Sequence, residues 1–278
     1  MYQLINGKEV SDYIKQQVKN EIEAQNLDIT LAVVVVGNNP ASKVYVNNKK
    51  KACKYVGIKS LEYALPEDVT EDELLNLIDY LNISDCVHGV LVQLPLPKHI
   101  NENKVIERIS PQKDVDGFTA INTGKLWLGK YDLVPCTAMG VIELLNYYNI
   151  DIAGKNCVII GRSNIVGKPM AALLLERNAT VTICHSKTQN LAEITSKADI
   201  LVVAIGKSKF ITADMIKDGA VVIDVGINRD ENGKLCGDVD FEDVVNKTAF
   251  LTPVPGGVGP MTISILMKNT LTAAKNRT

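Results

Sequence analysis

Tyr45 and Lys49 are the first residues of the chain whose types and spacing suggest chemistry. They follow an apolar run at 31–36 and a turn rich in Gly, Asn and Pro, which is typical of a strand leading into a helix. Residues four apart lie on one face of a helix, and Cys53 and Val56 continue that face. A half-buried lysine is costly without a task or a partner. The alternative is a surface helix whose lysine extends into solvent.

Two later stretches place polar groups where α/β proteins bind ligands. Gln93 stands near the carboxyl end of an apolar strand predicted at 87–94, which Pro95 interrupts. The stretch 113–118 reads Lys-Asp-Val-Asp-Gly-Phe and puts Asp116 in a polar loop. The alternative interpretation of this loop is a surface turn built around its glycine.

A glycine turn at 161–169 follows a strand predicted at 156–160. The turn is not the dinucleotide fingerprint G-x-G-x-x-G, because Ser163 occupies the second glycine position. It is not a P-loop either, because five residues separate Gly161 from Gly167. The first glycine still permits a tight turn, and the second lets the following helix approach the strand. The helix N-terminus then offers N–H groups to a phosphate.

Residues near this turn favour NADP over NAD as the cofactor. A chain that binds NAD usually carries Asp or Glu at the end of the second strand, but here the strand predicted at 180–184 leads into His-Ser-Lys. Arg162 and Ser186 suit a 2′-phosphate, although basic residues at a strand end also occur on ordinary surfaces. The strand predicted at 220–225 leads into a glycine that lets a nicotinamide approach the backbone, and Ile227 offers it an apolar contact.

The overall composition argues against several classes of protein. The chain has 278 residues, 46% hydrophobic and 22% charged, which suits a globular enzyme of one large or two ordinary domains. A net charge of -2 argues against a nucleic-acid binder. Six cysteines without a C-x-x-C pair, and three histidines without metal-like spacing, give no metal site. Without a signal pattern or a membrane-length apolar run, we expect a cytoplasmic protein with no membrane partner.

Strands alternate with helices along the chain, which predicts parallel sheets with right-handed crossovers. The first half has expected strands at 31–36, 61–64 and 87–94 and helices at 10–24, 42–56, 70–81 and 101–109. The second half has expected strands at 156–160, 180–184, 200–204 and 220–225 and helices at 138–148, 167–177, 190–195 and 212–217. The second succession is typical of a dinucleotide fold.

We therefore predict an α/β protein of two domains. The first would comprise residues 1–138 together with residues 261–278. Within this second stretch, a helix at 261–275 would fold back on the first domain. The second would be a Rossmann-type nucleotide domain at 139–260. No linker rich in Gly or Ser marks the boundary, so we expect helices to join the halves.

The stretch 253–262, Pro-Val-Pro-Gly-Gly-Val-Gly-Pro-Met-Thr, makes the pattern specific. Three prolines and three glycines predict a rigid loop that a generic nucleotide domain does not need. It is one of five stretches that, in order, closely resemble the bifunctional methylenetetrahydrofolate dehydrogenase/methenyltetrahydrofolate cyclohydrolase family. The other four are Tyr45-x-x-x-Lys49, 92–97, 113–117 and 161–167.

The resemblance implies two activities at one site. NADP takes a hydride from 5,10-methylenetetrahydrofolate, and water then opens the resulting methenyl cation to 10-formyltetrahydrofolate. The family has a cleft between two α/β domains and usually forms a homodimer through its nucleotide domains. The resemblance thus implies tetrahydrofolate one-carbon derivatives and a second copy of the chain as partners.

The resemblance also assigns roles by position. Lys49 matches the catalytic lysine, Tyr45 the tyrosine that stacks on the pterin, Gln93 the amide beside the lysine and Asp116 the carboxylate that anchors the pterin. The residues matching cofactor contacts are Gly161, Arg162, Ser163, Ser186 and Ile227. The remaining residues matching substrate contacts are Leu94, Pro95, Pro253, Pro255, Gly256, Gly257, Val258, Gly259, Pro260 and Met261.

Two alternatives stay open at this point. One is a monofunctional methylenetetrahydrofolate dehydrogenase of the same fold, against which Lys49 and Gln93 argue. The other is a nucleotide-sensing α/β protein without catalysis. Such a sensor would keep the glycine turn but would have no use for Tyr45, Lys49 and Asp116 together.

Overall fold

A computed structural model of the protein describes residues 2–38 and 40–277, and the side chains of 40–43 lie outside this description. The helices in these ranges are α1 (Gly7–Gln25), α2 (Pro40–Val56), α3 (Glu71–Ile83), α4 (Glu102–Arg108), α5 (Ala120–Trp127), α6 (Cys136–Tyr147), α7 (Gly167–Glu176), α8 (Leu191–Thr195), α9 (Phe241–Val244) and α10 (Val258–Lys275). The strands are β1 (Gln3–Leu4), β2 (Thr30–Val36), β3 (Lys59–Leu65), β4 (Gly89–Val92), β5 (Asn156–Ile160), β6 (Thr180–Cys184), β7 (Ile200–Val203), β8 (Ala220–Asp224), β9 (Asn228–Arg229), β10 (Leu235–Cys236) and β11 (Thr248–Leu251).

The chain forms two compact units, which we name after their sheets. The three-stranded unit comprises Asp12–Cys136 and Ile263–Thr278, and the six-stranded unit comprises Met1–Ser11 and Thr137–Thr262. The amino-terminal stretch belongs to the six-stranded unit because β1 pairs with β11 there.

The three-stranded unit is built around β2. Its sheet has the order β3-β2-β4 with all pairs parallel. Every residue of β2 is buried, as expected for a central parallel strand covered on both faces, whereas β3 is an edge strand with alternating exposure. Thr70 and Glu73 form a capping box at the start of α3, so the predicted helix start is confirmed. The carboxyl ends of β2 and β4 therefore share one edge of the sheet.

The six-stranded unit contains a fully parallel sheet of order β1-β11-β8-β7-β5-β6. Strand β5 lies between β6 and β7, so the chain leaves β5 in one direction for β6 and returns past it to β7. Such a reversal of strand order is where open parallel sheets bind nucleotides, beyond the carboxyl ends of the strands. The predicted α/β class and both parallel sheets are confirmed.

Two local predictions need correction. The helix predicted at 212–217 is only a 3-10 turn at Ala213–Met215, because the backbone is extended again at Ile216, with a φ of −117° and a ψ of 137°. Helix α10 begins at Val258, not at residue 261. Pro260 is tolerated in its first turn because the N–H groups there have no acceptor within the helix. The helices α5 and α9 and the strands β9, β10 and β11 were not predicted.

Candidate functional site

Helix α2 and strand β4 bring Lys49 and Gln93 together. Lys49 Nζ donates a hydrogen bond to Gln93 Oε1 at 2.9 Å. Gln93 is the first residue after β4, and its Nε2 donates to the Leu94 carbonyl at 2.7 Å. Both ends of the amide are bonded, which fixes its orientation toward the amine. A neutral amide positions the amine without placing a negative charge beside it.

Lys113 shows that the stretch before Asp116 is not the surface turn of the alternative interpretation. Its side chain is 2% exposed, and Nζ donates to the carbonyls of Leu81 and Ser84 at 2.7 Å each. These carbonyls lie at the carboxyl end of α3, where the last carbonyls of a helix have no N–H donor within the helix. Lys113 therefore anchors the segment to α3.

Asp114 holds the turn that follows. It is 1% exposed, and its carboxylate accepts hydrogen bonds from the N–H groups of Gly117 at 2.9 Å and Thr119 at 2.8 Å and from Asn122 Nδ2 at 2.9 Å. Gly117 has a φ of +70°, and a Cβ there would come within 2.6 Å of the Val134 backbone. The backbone on both sides of Asp116 is thus fixed by buried contacts.

The side chains of Asp116 and Lys49 interact electrostatically. Burial raises the pKa of the Asp116 carboxyl to about 6, the Lys49 ammonium opposes this shift, and Asp114 adds to it. Burial also raises the pKa of the Cys136 thiol well above its ordinary value, with Asp116 adding to the shift and Lys49 opposing it. The structure therefore gathers Lys49, Gln93 and Asp116 at one place in the three-stranded unit.

Tyr45 is the exposed member of this group. It precedes Lys49 by four residues on α2, and its side chain is 41% exposed. A phenol ring in that position offers a flat face to a ligand. Leu94 and Pro95 follow Gln93 directly, with Leu94 partly buried and Pro95 exposed.

Asn269 on α10 is a residue of this site that was not predicted from the sequence. This side chain is 4% exposed, and its Nδ2 donates to the carbonyls of Val115 and Val134 at 2.8 Å each. Cys136 Sγ, at 3.4 Å, donates to the Val115 carbonyl as well. Val115 precedes Asp116, so Asn269 ties the backbone beside the carboxylate to a second segment. A polar residue inside the apolar stripe of α10 was the only signal for it in the sequence.

The glycine turn of the six-stranded unit has the form needed for a phosphate site. Gly161 has a φ of +124°, and a Cβ there would lie 2.3 Å from the Ala204 carbonyl oxygen. A Cβ on Gly167 would lie 2.2 Å from the Gly161 carbonyl oxygen. Ser163 Oγ accepts from the N–H groups of Val166 at 3.2 Å and Gly167 at 3.4 Å, at the start of α7. Both positions therefore require glycine, which lets the turn pack closely against the backbone before the N-terminus of α7, the kind of helix end that binds phosphates.

The other predicted cofactor residues lie at carboxyl ends of the same sheet. Arg162 is exposed in the glycine turn, and Ser186 is exposed just after β6. Ile227 is 49% exposed just after β8. All three side chains are accessible to a ligand at the edge where β5, β6 and β8 end.

The proline- and glycine-rich stretch at 253–262 was predicted to be a single loop, but the structure divides it between a turn and a helix. Pro253, Pro255, Gly256 and Gly257 form a turn in the six-stranded unit, whereas Val258, Gly259, Pro260 and Met261 are the first turn of α10. Ser11 Oγ donates to the Pro260 carbonyl at 3.0 Å. A Cβ on Gly257 would lie 2.6 Å from the Pro253 carbonyl oxygen, which explains the glycine.

The described residues contain no group of His, Cys, Asp or Glu side chains arranged to hold a metal ion. In the same part of the chain, no helix combines the length and the apolar composition needed to cross a bilayer. All six cysteines are free thiols.

Comparison with known proteins gives one consistent result. The sequence model of the tetrahydrofolate dehydrogenase/cyclohydrolase catalytic domain matches residues 5–116, and that of the NAD(P)-binding domain of the same family matches residues 135–278. The bifunctional protein FolD of Lachnoclostridium phytofermentans is 60% identical over 278 residues, covering 99% of each chain.

Two solved structures extend the similarity to the fold. The bifunctional FolD enzyme of Campylobacter jejuni is 52% identical and superposes with a TM-score of 0.97 over 100% of both chains. The dehydrogenase-cyclohydrolase of Trypanosoma brucei, solved with NADP cofactor and an inhibitor, is 37% identical with a TM-score of 0.94, covering 99% of this chain and 98% of that one. The chain described here therefore belongs to the tetrahydrofolate dehydrogenase/cyclohydrolase family.

Proposed function

We propose that this protein is a bifunctional enzyme that oxidises 5,10-methylenetetrahydrofolate with NADP and hydrolyses the product to 10-formyltetrahydrofolate. The observation that carries the proposal is the cluster of Lys49, Gln93 and Asp116 in a chain that also holds a glycine turn suited to a dinucleotide. We assign the folate to the three-stranded unit, within the domain 1–138 with 261–278, and NADP to the domain 139–260.

Asp116 and Tyr45 bind the pterin in this proposal. The pterin ring carries an amino group and a ring N–H side by side, and an ionised carboxylate accepts both hydrogens. The contacts of Lys113, Asp114 and Asn269 support this role, since they fix the backbone on which Asp116 is presented. Tyr45 stacks on the ring with its exposed face.

Further folate contacts come from two stretches. One is Leu94 and Pro95, which follow the amide that orients Lys49. The other is the turn of Pro253, Pro255, Gly256 and Gly257 together with Val258, Gly259, Pro260 and Met261. Their support is the family membership and the rigid backbone that the glycine contacts describe.

The oxidation needs orientation rather than a side-chain acid or base. Bound NADP supplies the hydride acceptor. Gly161 lets the backbone approach the phosphates, while Arg162, Ser163 and Ser186 hold the 2′-phosphate. Ile227 contacts the nicotinamide. The absence of an acid after β6 supports NADP over NAD, and the NADP complex of the Trypanosoma brucei relative agrees with it.

Lys49 carries the hydration step. Water adds its oxygen to the methenyl carbon and loses one proton. The second proton of the water then passes to N5 of the folate as the bond from the carbon to N5 breaks, which leaves the formyl group on N10. The amine of Lys49 accepts that proton. Gln93 holds the amine in place through a hydrogen bond of 2.9 Å.

The setting of the enzyme is part of the proposal. The free thiols support a reducing cytoplasm, where 10-formyltetrahydrofolate supplies purine synthesis.

We also propose a homodimer through the six-stranded units. Its support is the edge strand β6, which carries the exposed Ile183, and the helix α7, which packs against β6 and carries Leu175, 55% exposed. Sedimentation should give twice the 30.3 kDa mass of one chain.

One spectrophotometric assay tests the two activities. The protein is mixed with methylenetetrahydrofolate and either NADP or NAD, and the appearance of reduced cofactor and the decay of the methenyl product are followed separately. We expect both signals, with NADP preferred. Reduced cofactor with a methenyl product that decays only at the uncatalysed rate would identify a monofunctional dehydrogenase. NADP binding without any folate-dependent absorbance change would identify a nucleotide sensor.

A further inference from the structure

Two buried carboxylates lie beneath the loops at the carboxyl ends of β7 and β8. Asp238 is 0% exposed and Asp224 is 4% exposed. Neither is among the residues assigned above to the folate or to NADP. A buried carboxylate is costly unless several donors satisfy it, so the donors show what each one holds in place.

Asp238 binds four donors from two separate segments. Its Oδ2 accepts from the N–H groups of Ile205 at 2.7 Å and Gly206 at 3.0 Å, and its Oδ1 accepts from the N–H of Lys207 at 2.8 Å. Oδ1 also accepts from Asn228 Nδ2 at 2.8 Å. One carboxylate thus joins three consecutive amides of the loop after β7 to the first residue of β9.

Asp224 supports Asp238 from the end of β8. Its Oδ1 accepts from the N–H groups of Gly226 at 2.9 Å and Asp238 at 3.0 Å, and its Oδ2 accepts from the N–H of Val239 at 3.0 Å. Burial raises the pKa of Asp224 to about 6, the three N–H donors oppose the shift, and Asp238 adds to it. The two carboxylates therefore form one bonded unit.

Two glycines allow the carboxylates to approach the backbone. A Cβ on Gly226 would lie 2.3 Å from Asp238 Oδ1, and a Cβ on Gly237 would lie 1.8 Å from Asp224 Oδ2. The glycine after β8 therefore has a second purpose besides access for a ligand, because it makes room for Asp238.

The segments held by these carboxylates flank Ile227. This residue stands between Gly226, which Asp224 holds, and Asn228, which Asp238 holds. Both segments follow strands whose carboxyl ends face the nucleotide edge of the sheet. We propose that Asp238 is a positioning residue for NADP, which fixes the loop Ile205–Lys207 and Asn228 so that the backbone there and Ile227 meet the nicotinamide half. This inference rests on the proposed function.

The substitution Asp238→Asn tests the role with little change in shape. An asparagine keeps one oxygen acceptor. Its NH₂ group replaces the second oxygen and faces the donors that this oxygen satisfies in the parent protein. We expect the NADP dissociation constant, measured by titration without folate, to rise at least about tenfold. Hydrolysis of added methenyltetrahydrofolate without NADP should stay within about twofold of the parent rate. Asp218→Asn, an exposed aspartate of the same unit, is the matched control.

Asn228→Ala keeps the test decisive if Asp238→Asn does not fold. It removes one of the four donors, and we expect the NADP dissociation constant to rise roughly threefold to tenfold in a folded protein. Unchanged NADP binding in the folded variants would overturn the inference. Equal losses of NADP binding and of hydrolysis would also overturn it, because they would indicate general unfolding. A parent protein that binds NADP without converting folate would refute the proposed function, while the titrations would still decide the role of Asp238.

Discussion

The sites in the two units are built from different parts of the chain. In the three-stranded unit, a hydrogen bond orients Lys49 and Gln93, and buried contacts fix the backbone on both sides of Asp116. In the six-stranded unit, the glycine turn is shaped by backbone contacts, and the residues assigned to NADP are largely exposed.

This difference follows from the two reactions. Hydration of a cation requires a group that accepts a proton, so its environment must be controlled by burial and by neighbouring charges. Hydride transfer requires that two rings be held together, which a rigid backbone achieves. Substitutions in one unit should therefore affect one reaction more than the other.

Lys49→Met should give the largest separation. Removal of the amine should slow hydrolysis of methenyltetrahydrofolate roughly 100- to 10,000-fold, because the group proposed to accept the proton from water is lost. NADP affinity, measured by titration, should stay nearly unchanged. Lys51→Met, on an exposed face of the same helix, is the control. A Lys49→Met protein that makes 10-formyltetrahydrofolate at the parent rate would remove the case for Lys49.

Asp116→Ala should separate folate binding from NADP binding. Loss of a charged acceptor for two hydrogens should weaken folate binding roughly 10- to 100-fold, with NADP binding little affected. Both dissociation constants can be measured by titration, with the exposed Asp132→Ala as the control from the same unit. Equal losses for folate and NADP would contradict the role of Asp116 as pterin anchor.

The pKa of Asp116 gives a pH dependence that only the folate should show. Burial raises this pKa to about 6, so the carboxyl is protonated below that pH and cannot accept both pterin hydrogens. The KM for folate should rise as pH falls through about 6, by roughly tenfold per pH unit below it. The KM for NADP should lack this step. An Asp116→Ala variant that retains the same pH step would assign it to another group.

Arg162→Ala should have the smallest effect, because this side chain is exposed to solvent. The ratio of kcat/KM for NADP to that for NAD should fall by about tenfold, as expected for one charged hydrogen bond to a phosphate. Lys168→Ala removes a neighbouring exposed charge that binds Asn164 and serves as the control. An unaltered ratio for Arg162→Ala would show that the 2′-phosphate binds elsewhere.

The sequence predicted the regular fold well because its signals are local. The apolar runs at 31–36 and 156–160 predicted the central strands, and the helix predicted at 70–81 is α3, which begins after the capping box of Thr70 and Glu73. The short strand β11 was missed because four residues give no clear periodicity. The start of α10 was placed late because its first turn contains Gly and Pro, which resemble a loop in sequence.

Site residues could be predicted from the sequence where they belong to a recognisable motif. Tyr45, Lys49, Gln93 and Asp116 belong to stretches with fixed spacing, and the structure gathers Lys49, Gln93 and Asp116. Asn269 and Asp238 could not be found this way, because each acts on backbone groups far away in the chain. Their roles follow from contacts that only the folded chain creates.

A crystal structure with a non-reactive tetrahydrofolate analogue and NADP would test the central claim most directly. The account predicts that Asp116 accepts hydrogen bonds from both the amino group and the ring N–H of the pterin, that Tyr45 stacks on the ring, and that Lys49 Nζ lies beside the one-carbon bridge. A pterin bound without contact to Asp116, with Lys49 remote from the bridge, would contradict it.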